Sequence, residues 1–143
     1  MFNRLVRHVM ERKNALTLAP DTTVSKAAEL MAKKNIGAVM VVEQDRLTGI
    51  FTERDALFRV IARGLDAKAT RLSDVMTARP RTVDPNKTYG YALVMMQENG
   101  FRHAPVIENG RPIGIVSSRN AMDPDLEEFV SEANRREYIR EGH

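Results

Sequence analysis

Two short segments hold the residue types of this chain that are best suited to binding a polar or anionic ligand. They are Gly-Ile-Phe-Thr-Glu-Arg-Asp at residues 49–55 and Gly-Ile-Val-Ser-Ser-Arg-Asn at residues 114–120. In each segment a hydroxyl residue is followed three positions later by a side chain with an acceptor oxygen, Asp55 or Asn120. This spacing can serve two purposes: it can close the first turn of a helix, or it can present polar groups to a ligand.

Helix capping is the simpler interpretation of Thr52 with Asp55. A threonine at the N-cap accepts a hydrogen bond from the backbone three residues on, and an acidic side chain at that position bonds back to the cap. Ser117 with Asn120 can do the same less well. Such sequences are common, so a single one would predict no more than the start of a helix.

The recurrence of the pattern favours a ligand. Both copies follow a Gly-Ile pair, and a strand that runs into a helix N-terminus presents free N–H groups and the positive end of the helix dipole to an anion. Arg54 and Arg119 occupy equivalent positions in the two turns, where a cation is unfavourable for the dipole. An anionic partner would offset that cost, and arginine is suited to bidentate phosphate contacts.

Sequence patterns of catalytic and metal-binding sites are absent. The histidines, His8, His103 and His143, lack metal-ligand spacing, and the chain has no cysteine. No Gly-x-Ser-x-Gly turn, Walker A sequence or Gly-x-Gly-x-x-Gly pattern occurs. The sequence therefore predicts neither an enzyme nor a metal site.

The composition predicts a soluble, cytoplasmic globular protein. The 143 residues are 43% hydrophobic, without cysteine, and no stretch approaches the roughly 18 apolar residues of a membrane span. The net charge of +3 is spread along the chain rather than clustered with aromatic residues. This distribution disfavours a nucleic-acid binder and is compatible with a small anionic ligand.

A repeat organises the chain. A shift of 65 residues aligns residues 17–56 with residues 82–121 without a gap, and identical pairs such as Gly49 with Gly114 recur along the alignment. Each copy predicts a strand, a helix, two strands and a second helix, with Asn109-Gly110 as a hairpin signal. We therefore expect an α+β fold of two β-α-β-β-α repeats that pack together.

The ordered set of motifs resembles a tandem pair of CBS (cystathionine β-synthase) domains, also called a Bateman module. The matching residues are His8-Val9-Met10 and Asp74-Val75-Met76 before each repeat, Ala104-Pro105-Val106, and the two Gly-Ile segments. The resemblance covers residues 8–122 and implies two repeats packed by pseudo-two-fold symmetry, in pairs that usually dimerise.

The expected domain boundaries follow the repeat. Residues 1–66 are predicted to form the first repeat with an N-terminal helix, 67–122 the second repeat, and 123–143 a C-terminal helical tail. The second helix of the first repeat is predicted over residues 55–64 because its apolar residues follow helical spacing.

The resemblance implies a site for an adenosyl nucleotide between the repeats. Asp55 would accept the ribose hydroxyls, for which a carboxylate has the lone pairs, and Thr52 would lie near the ribose and phosphate. Asn120 departs from the expected aspartate, so the second pocket is expected to be weaker, empty or tuned to another ligand. The predicted nucleotide-binding residues are Thr17, Ala38, Thr52, Arg54, Asp55, Thr82, Arg102, His103, Pro105, Ser117, Arg119 and Asn120.

Two of these assignments have structural alternatives. His103 is predicted to reach phosphate together with Arg102, but a histidine at the start of a strand can also be satisfied by the protein itself. Thr17 and Thr82 are predicted base or sugar contacts, although their β-propensity alone would explain them.

The implied function is that of a regulatory sensor. The ligand would be AMP, ADP, ATP or NAD(H), and a separate, unidentified protein would read the bound state of a homodimer. The alternative is a ligand-independent dimeric interaction or scaffold module, in which the two caps are no more than caps.

Overall fold

The computed structural model describes residues 2–12 and 16–121 of the chain. The helices and strands follow one another as α1 (Val6–Val9), β1 (Thr17–Leu18), α2 (Val24–Lys34), β2 (Ala38–Glu43), β3 (Arg46–Thr52), α3 (Glu53–Asp55), α4 (Leu72–Val75), β4 (Thr77–Ala78), α5 (Tyr89–Asn99), β5 (His103–Glu108) and β6 (Arg111–Ser117). A π-helical segment, Ala56–Ile61, continues α3, and a 3-10 turn, Ser118–Ala121, follows β6. The predicted α+β class and the tandem repeat are confirmed.

The long helices of the two repeats begin and end alike. Thr23 and Thr88 are the N-caps of α2 and α5, and each side chain accepts a hydrogen bond of 3.2 Å from the backbone three residues on. Both helices end at a left-handed residue, Asn35 or Gly100. Asparagine and glycine tolerate that conformation best, so the sequence itself marks both ends of each helix.

The strands form a four-stranded sheet in the first repeat and a two-stranded sheet in the second. In the first, β1 pairs in parallel with β2, and β2, β3 and β4 pair antiparallel in that order. In the second, β5 pairs antiparallel with β6. The predicted hairpin turn at Asn109-Gly110 is confirmed, since both residues have positive φ angles of 53° and 77°, as a two-residue hairpin loop requires.

Each repeat takes an edge from the segment that precedes the other repeat. Glu11 bridges Ile115 of β6, while Thr77 pairs with Ile50 of β3. Helix α1 packs on α5 of the second repeat, with Val6 in that repeat's core. The domain boundary at residue 66 stays a prediction. The segment before each repeat packs against the other repeat, so the N-terminal helix lies with the second repeat.

Close approach explains the glycine that both repeats share. A Cβ atom on Gly49 would lie 2.9 Å from Cγ of Met76, and one on Gly114 would lie 3.0 Å from Sδ of Met10. Both distances are too short for normal packing. Each glycine therefore leaves room for the methionine that follows a short helix, Met76 after α4 and Met10 after α1.

The two repeats meet through their sheets. Ile50 and Ile115, which are equivalent residues of β3 and β6, pack in one buried cluster with Ala38 and Met40. This contact brings the ends of β3 and β6 together, and with them the residues that follow each strand.

The second helix of the first repeat differs from its prediction. The segment expected as a regular helix over residues 55–64 is π-helical from Ala56 to Ile61. Its equivalent in the second repeat, residues 120–129, lies outside the described residues beyond Ala121. The helical tail predicted over residues 123–143 lies outside the described residues.

Candidate functional site

A cavity of about 490 Å³ lies between the repeats, where β3 and β6 end. The first repeat supplies one face of α2, the loop after it, and the residues that follow β3: Ala28, Met31, Ala32, Asn35, Ile36, Gly37, Glu53 and Ala56. The second repeat supplies the residues at the start of β5 and the end of β6: Arg102, His103, Ser117, Ser118 and Arg119. One wall is thus largely apolar, and the other is basic.

The backbone fixes the basic wall. His103 pairs with Ser117 at the open end of the β5–β6 hairpin. The N–H of Ser118 donates to the carbonyl of Arg102 at 3.0 Å. These contacts hold the start of β5 beside the turn that carries Arg119, so the two arginines and the histidine line the same cavity.

The opposite wall contributes a carboxylate. The N–H of Glu53 donates to the carbonyl of Gly37 at 2.9 Å, which ties the end of β3 to the loop before β2. A Cβ atom on Gly37 would lie 3.0 Å from Oε1 of Glu53 and 3.6 Å from Nε2 of His103. The absence of a side chain at Gly37 therefore leaves room for both groups.

The electrostatics of the cavity act on His103. Burial lowers the pKa of His103 below its ordinary value of 6.5, and the charges of Arg119 and Arg102 lower it further. The carboxylates of Glu53 and Glu11 oppose that change. His103 is therefore neutral at neutral pH, and an anion beside it would favour its protonated form.

The two Gly-Ile segments both close capping turns. Oδ2 of Asp55 accepts from the N–H of Thr52 at 3.0 Å and from its hydroxyl at 3.1 Å. Oδ1 of Asn120 accepts from the N–H of Ser117 at 2.7 Å and from its hydroxyl at 3.1 Å. Both side chains are buried. Capping uses one of the two carboxylate oxygens of Asp55 and the single amide oxygen of Asn120.

The second polar atom of each capping side chain, Oδ1 of Asp55 or Nδ2 of Asn120, has a different partner in the two repeats. Oδ1 of Asp55 lies 3.5 Å from Nε of Arg59, which also donates through Nη1 to the carbonyls of Val75 and Met76. Nδ2 of Asn120 donates to Oε1 of Glu11 at 3.3 Å. Asp55 is therefore linked to the segment between the repeats, and Asn120 to the segment before the first repeat.

The structure brings some predicted site residues together and not others. Arg102, His103, Ser117 and Arg119 line the cavity, and Ala38 lines a small recess beside it. Residues outside its lining are Thr17, Thr52, Arg54, Asp55, Thr82, Pro105 and Asn120. The guanidinium of Arg54 lies over the ring of Phe58, 5.1 Å from its centroid. The binding roles of all these residues stay predictions.

Sequence reasoning missed four polar residues around the cavity: Asn35, which ends α2, together with Glu53, Ser118 and Glu11. Glu53 and Ser118 are equivalent residues directly after the hydroxyl of each motif, so their positions in the repeat would have identified them. Glu11 lines the small recess and carried no such signal, because it reaches the site through a bridge to Ile115, 104 positions later.

Within residues 2–12 and 16–121, no helix is long and apolar enough to cross a bilayer. The same part of the chain holds no group of three or more His, Asp or Glu side chains that could bind a metal ion.

Comparisons with known proteins agree with the fold. The chain is 37% identical over 129 residues to the mitochondrial CBS domain-containing protein CBSX3 of Arabidopsis thaliana, covering 86% of this chain and 63% of that protein. A crystal structure of an uncharacterised conserved protein from Pyrococcus horikoshii superposes with a TM-score of 0.80 at 26% identity, covering 87% of this chain and 94% of that one.

A further likeness is to the fold alone. The CBS domain protein PAE2072 from Pyrobaculum aerophilum, solved in complex with AMP, has a TM-score of 0.75 at 22% identity. The superposition covers 89% of this chain and 98% of the Pyrobaculum chain.

The family model of the CBS domain matches this chain twice, over residues 6–62 and 72–124. The chain therefore belongs to the CBS-domain family and carries a tandem pair of these domains.

Proposed function

We propose that this chain binds an adenine nucleotide in the cavity between its repeats and reports occupancy to a separate protein. The observation that carries the proposal is the meeting of Arg102, His103 and Arg119 in a cavity of about 490 Å³. That volume lies within the range of small-ligand sites. The apolar wall from α2 suits a base, and the basic wall suits a phosphate.

The phosphate end would use the two arginines. Arg102 and Arg119 are exposed at the cavity, and a guanidinium binds phosphate oxygens in a bidentate geometry. His103 would add a second donor on protonation, which an incoming anion favours. These groups belong to the second repeat, so phosphate binding depends chiefly on that repeat.

The ribose end would use the first repeat. Asp55 is 8% exposed and lies next to Ala56, which lines the cavity. Its Oδ2 closes the cap, so ribose hydroxyls would bind Oδ1 in competition with Arg59. A nucleotide held at both ends would bridge the repeats.

Bridging provides a means of signalling. A ligand that contacts both repeats favours the arrangement in which its contacts are complete, and a partner that recognises this arrangement reads the ligand concentration. AMP, ADP, ATP and NAD(H) all carry the adenosyl group and phosphate that the cavity suits. The fold is also that of the Pyrobaculum protein solved with AMP, although at 22% identity the proposal rests on the residues of this chain.

The experiment is calorimetric titration of the purified chain with AMP, ATP, NAD+, NADH and S-adenosylmethionine. Saturable binding that Arg119→Ala weakens by about tenfold or more, the effect of losing a charge-assisted contact, supports the proposal. Arg63→Ala, an exposed arginine outside the cavity lining, is the matched control. No binding, with no nucleotide co-purified, contradicts it.

We also propose that the binding unit is a cytoplasmic homodimer. Leu57, Phe58 and Ile61 are 51%, 55% and 69% exposed on one π-helical segment, a concentration of apolar surface that a second copy would cover. Sedimentation analysis should give twice the chain mass for the native protein, and Ile61→Glu should shift it to the monomer. A monomeric native protein contradicts the homodimer.

The same apolar segment supports the second candidate function, a ligand-independent interaction module. That candidate predicts that adenosyl ligands leave the unfolding temperature unchanged, while Ile61→Glu abolishes self-association. Nucleotide binding by the native chain decides against it.

A further inference from the structure

Glu53 is the acidic residue among those that line the cavity, and it comes from the repeat opposite the basic residues. Its equivalent in the second repeat, Ser118, is uncharged. Arg102 and His103 have Gly37 and Ala38 as their own equivalents. In these three pairs the cavity therefore holds the ionisable member, and Arg119, whose equivalent is Arg54, adds a second arginine. The lining thus contains two arginines and a histidine against one carboxylate.

The carboxylate lies close to the basic groups. Oε1 of Glu53 and Nε2 of His103 approach the same point above Gly37, at 3.0 and 3.6 Å. Arg119, Arg102 and Glu11, which lines the adjoining recess, act on the pKa of His103 together with Glu53, so these five side chains share one local electrostatic field. The hydrogen bond from the N–H of Glu53 to Gly37 holds its backbone in place.

This arrangement limits how much negative charge the cavity accepts. In the ligand-free cavity, where His103 is neutral, Arg102 and Arg119 contribute two positive charges and Glu53 one negative charge. A first phosphate group can pair with the arginines, but each further phosphate adds charge that Glu53 repels. Glu53 would not affect the uncharged adenosine part of the ligand in this way.

Building on the proposed function, we propose that Glu53 is a specificity residue that makes the cavity favour nucleoside monophosphates over triphosphates. Glu53→Gln retains the size of the side chain and removes its charge. The ratio of ATP affinity to AMP affinity is expected to be about threefold to tenfold higher in the variant than in the native chain. Solvent screens exposed charges at this distance but does not abolish their interaction.

The test is calorimetric titration of the full chain with AMP, ADP and ATP, without magnesium and at fixed ionic strength. Glu43→Gln, an exposed acid at the end of β2 and outside the cavity lining, is the control and should leave the ATP-to-AMP affinity ratio unchanged. A ratio that rises for Glu53→Gln alone, in steps from AMP through ADP to ATP, supports the proposal. An unchanged ratio with AMP binding retained overturns it and leaves the proposed function standing.

A second readout separates charge from shape. In the ligand-free chain, an NMR titration of His103 should show a lower pKa in Glu53→Gln than in the native protein, because the carboxylate raises it. An unchanged pKa shows that the charge does not act in the cavity and overturns the proposal. If none of the three nucleotides binds either protein, the proposed function is wrong and the selectivity proposal is wrong with it.

Discussion

Asp55 and Asn120, which lie 65 positions apart, close equivalent turns of the two repeats with one side-chain oxygen each. Each oxygen accepts from the N–H and the hydroxyl of the residue three positions earlier. An asparagine can therefore supply the acceptor oxygen that the aspartate supplies to the cap. What Asp55 adds is a second acceptor oxygen and a charge, and these are what a ribose would use.

Asp55→Asn should separate capping from ligand binding. We expect the free energy of unfolding to change little, because Asn120 makes the same cap, whereas Asp55→Ala should cost about 1–2 kcal/mol as the cap is lost. Both variants should lose about tenfold or more in nucleotide affinity. Urea unfolding and calorimetric titration measure the two effects. Native affinity in Asp55→Asn would show that Asp55 is a cap alone.

Asn120→Asp should destabilise the chain at neutral pH. Nδ2 of Asn120 donates to Glu11 at 3.3 Å, so an aspartate would place two carboxylates together at a buried position. We expect a loss of about 1–3 kcal/mol in urea unfolding at pH 7.

The loss in Asn120→Asp should fade at acidic pH. Like charges raise the carboxyl pKa in the folded state, so the stability deficit relative to the native chain appears as the pH rises through that value. Adding Glu11→Gln should restore stability at pH 7, and the double variant is the one to titrate for a second bound nucleotide. A single variant as stable as the native chain would contradict the Glu11–Asn120 contact.

His103 should make the chain less stable in mild acid. Its pKa is lowered by burial and by Arg119 and Arg102, so the unfolded chain binds a proton near pH 6.5 that the folded chain does not. The unfolded state then holds more protons, and stability falls as the pH drops from about 6.5 through the folded pKa. Well above pH 6.5 both states are neutral, and the effect vanishes.

Urea unfolding at a series of pH values measures this effect. His103→Asn should flatten the decline below pH 6.5, while His8→Asn, at an exposed position on α1, is the matched control. A native chain whose stability is constant from pH 7.5 to the folded pKa would contradict the burial of His103, as would an unchanged decline in His103→Asn.

Tyr89→Phe should weaken the basic wall of the cavity. The Tyr89 hydroxyl is buried and donates to the carbonyl of Ser117 at 2.6 Å, at the end of β6. Its removal should cost about 0.5–1.5 kcal/mol in urea unfolding and lower nucleotide affinity by displacing the turn that carries Arg119. Tyr91 is 51% exposed, and Tyr91→Phe should change neither the stability nor the affinity. Native stability and affinity in Tyr89→Phe would contradict this role.

Much of the local structure is readable from the sequence. The caps at Thr23 and Thr88, the left-handed ends at Asn35 and Gly100, and the hairpin at Asn109-Gly110 depend on residues a few positions apart. The π-helical form of Ala56–Ile61 is not readable in this way, because a helical apolar pattern does not distinguish an α-helix from a π-helix.

The repeat, the α+β class, the capping turns and the basic residues that line one wall can all be read from residue types along the chain. Which segments meet depends on tertiary packing. Glu11 reaches the second repeat through a bridge to Ile115, and Glu53 shares its cavity with His103. Short-range contacts are fixed by neighbouring residue types, whereas these contacts join residues 50 and 104 positions apart and depend on how whole sheets pack.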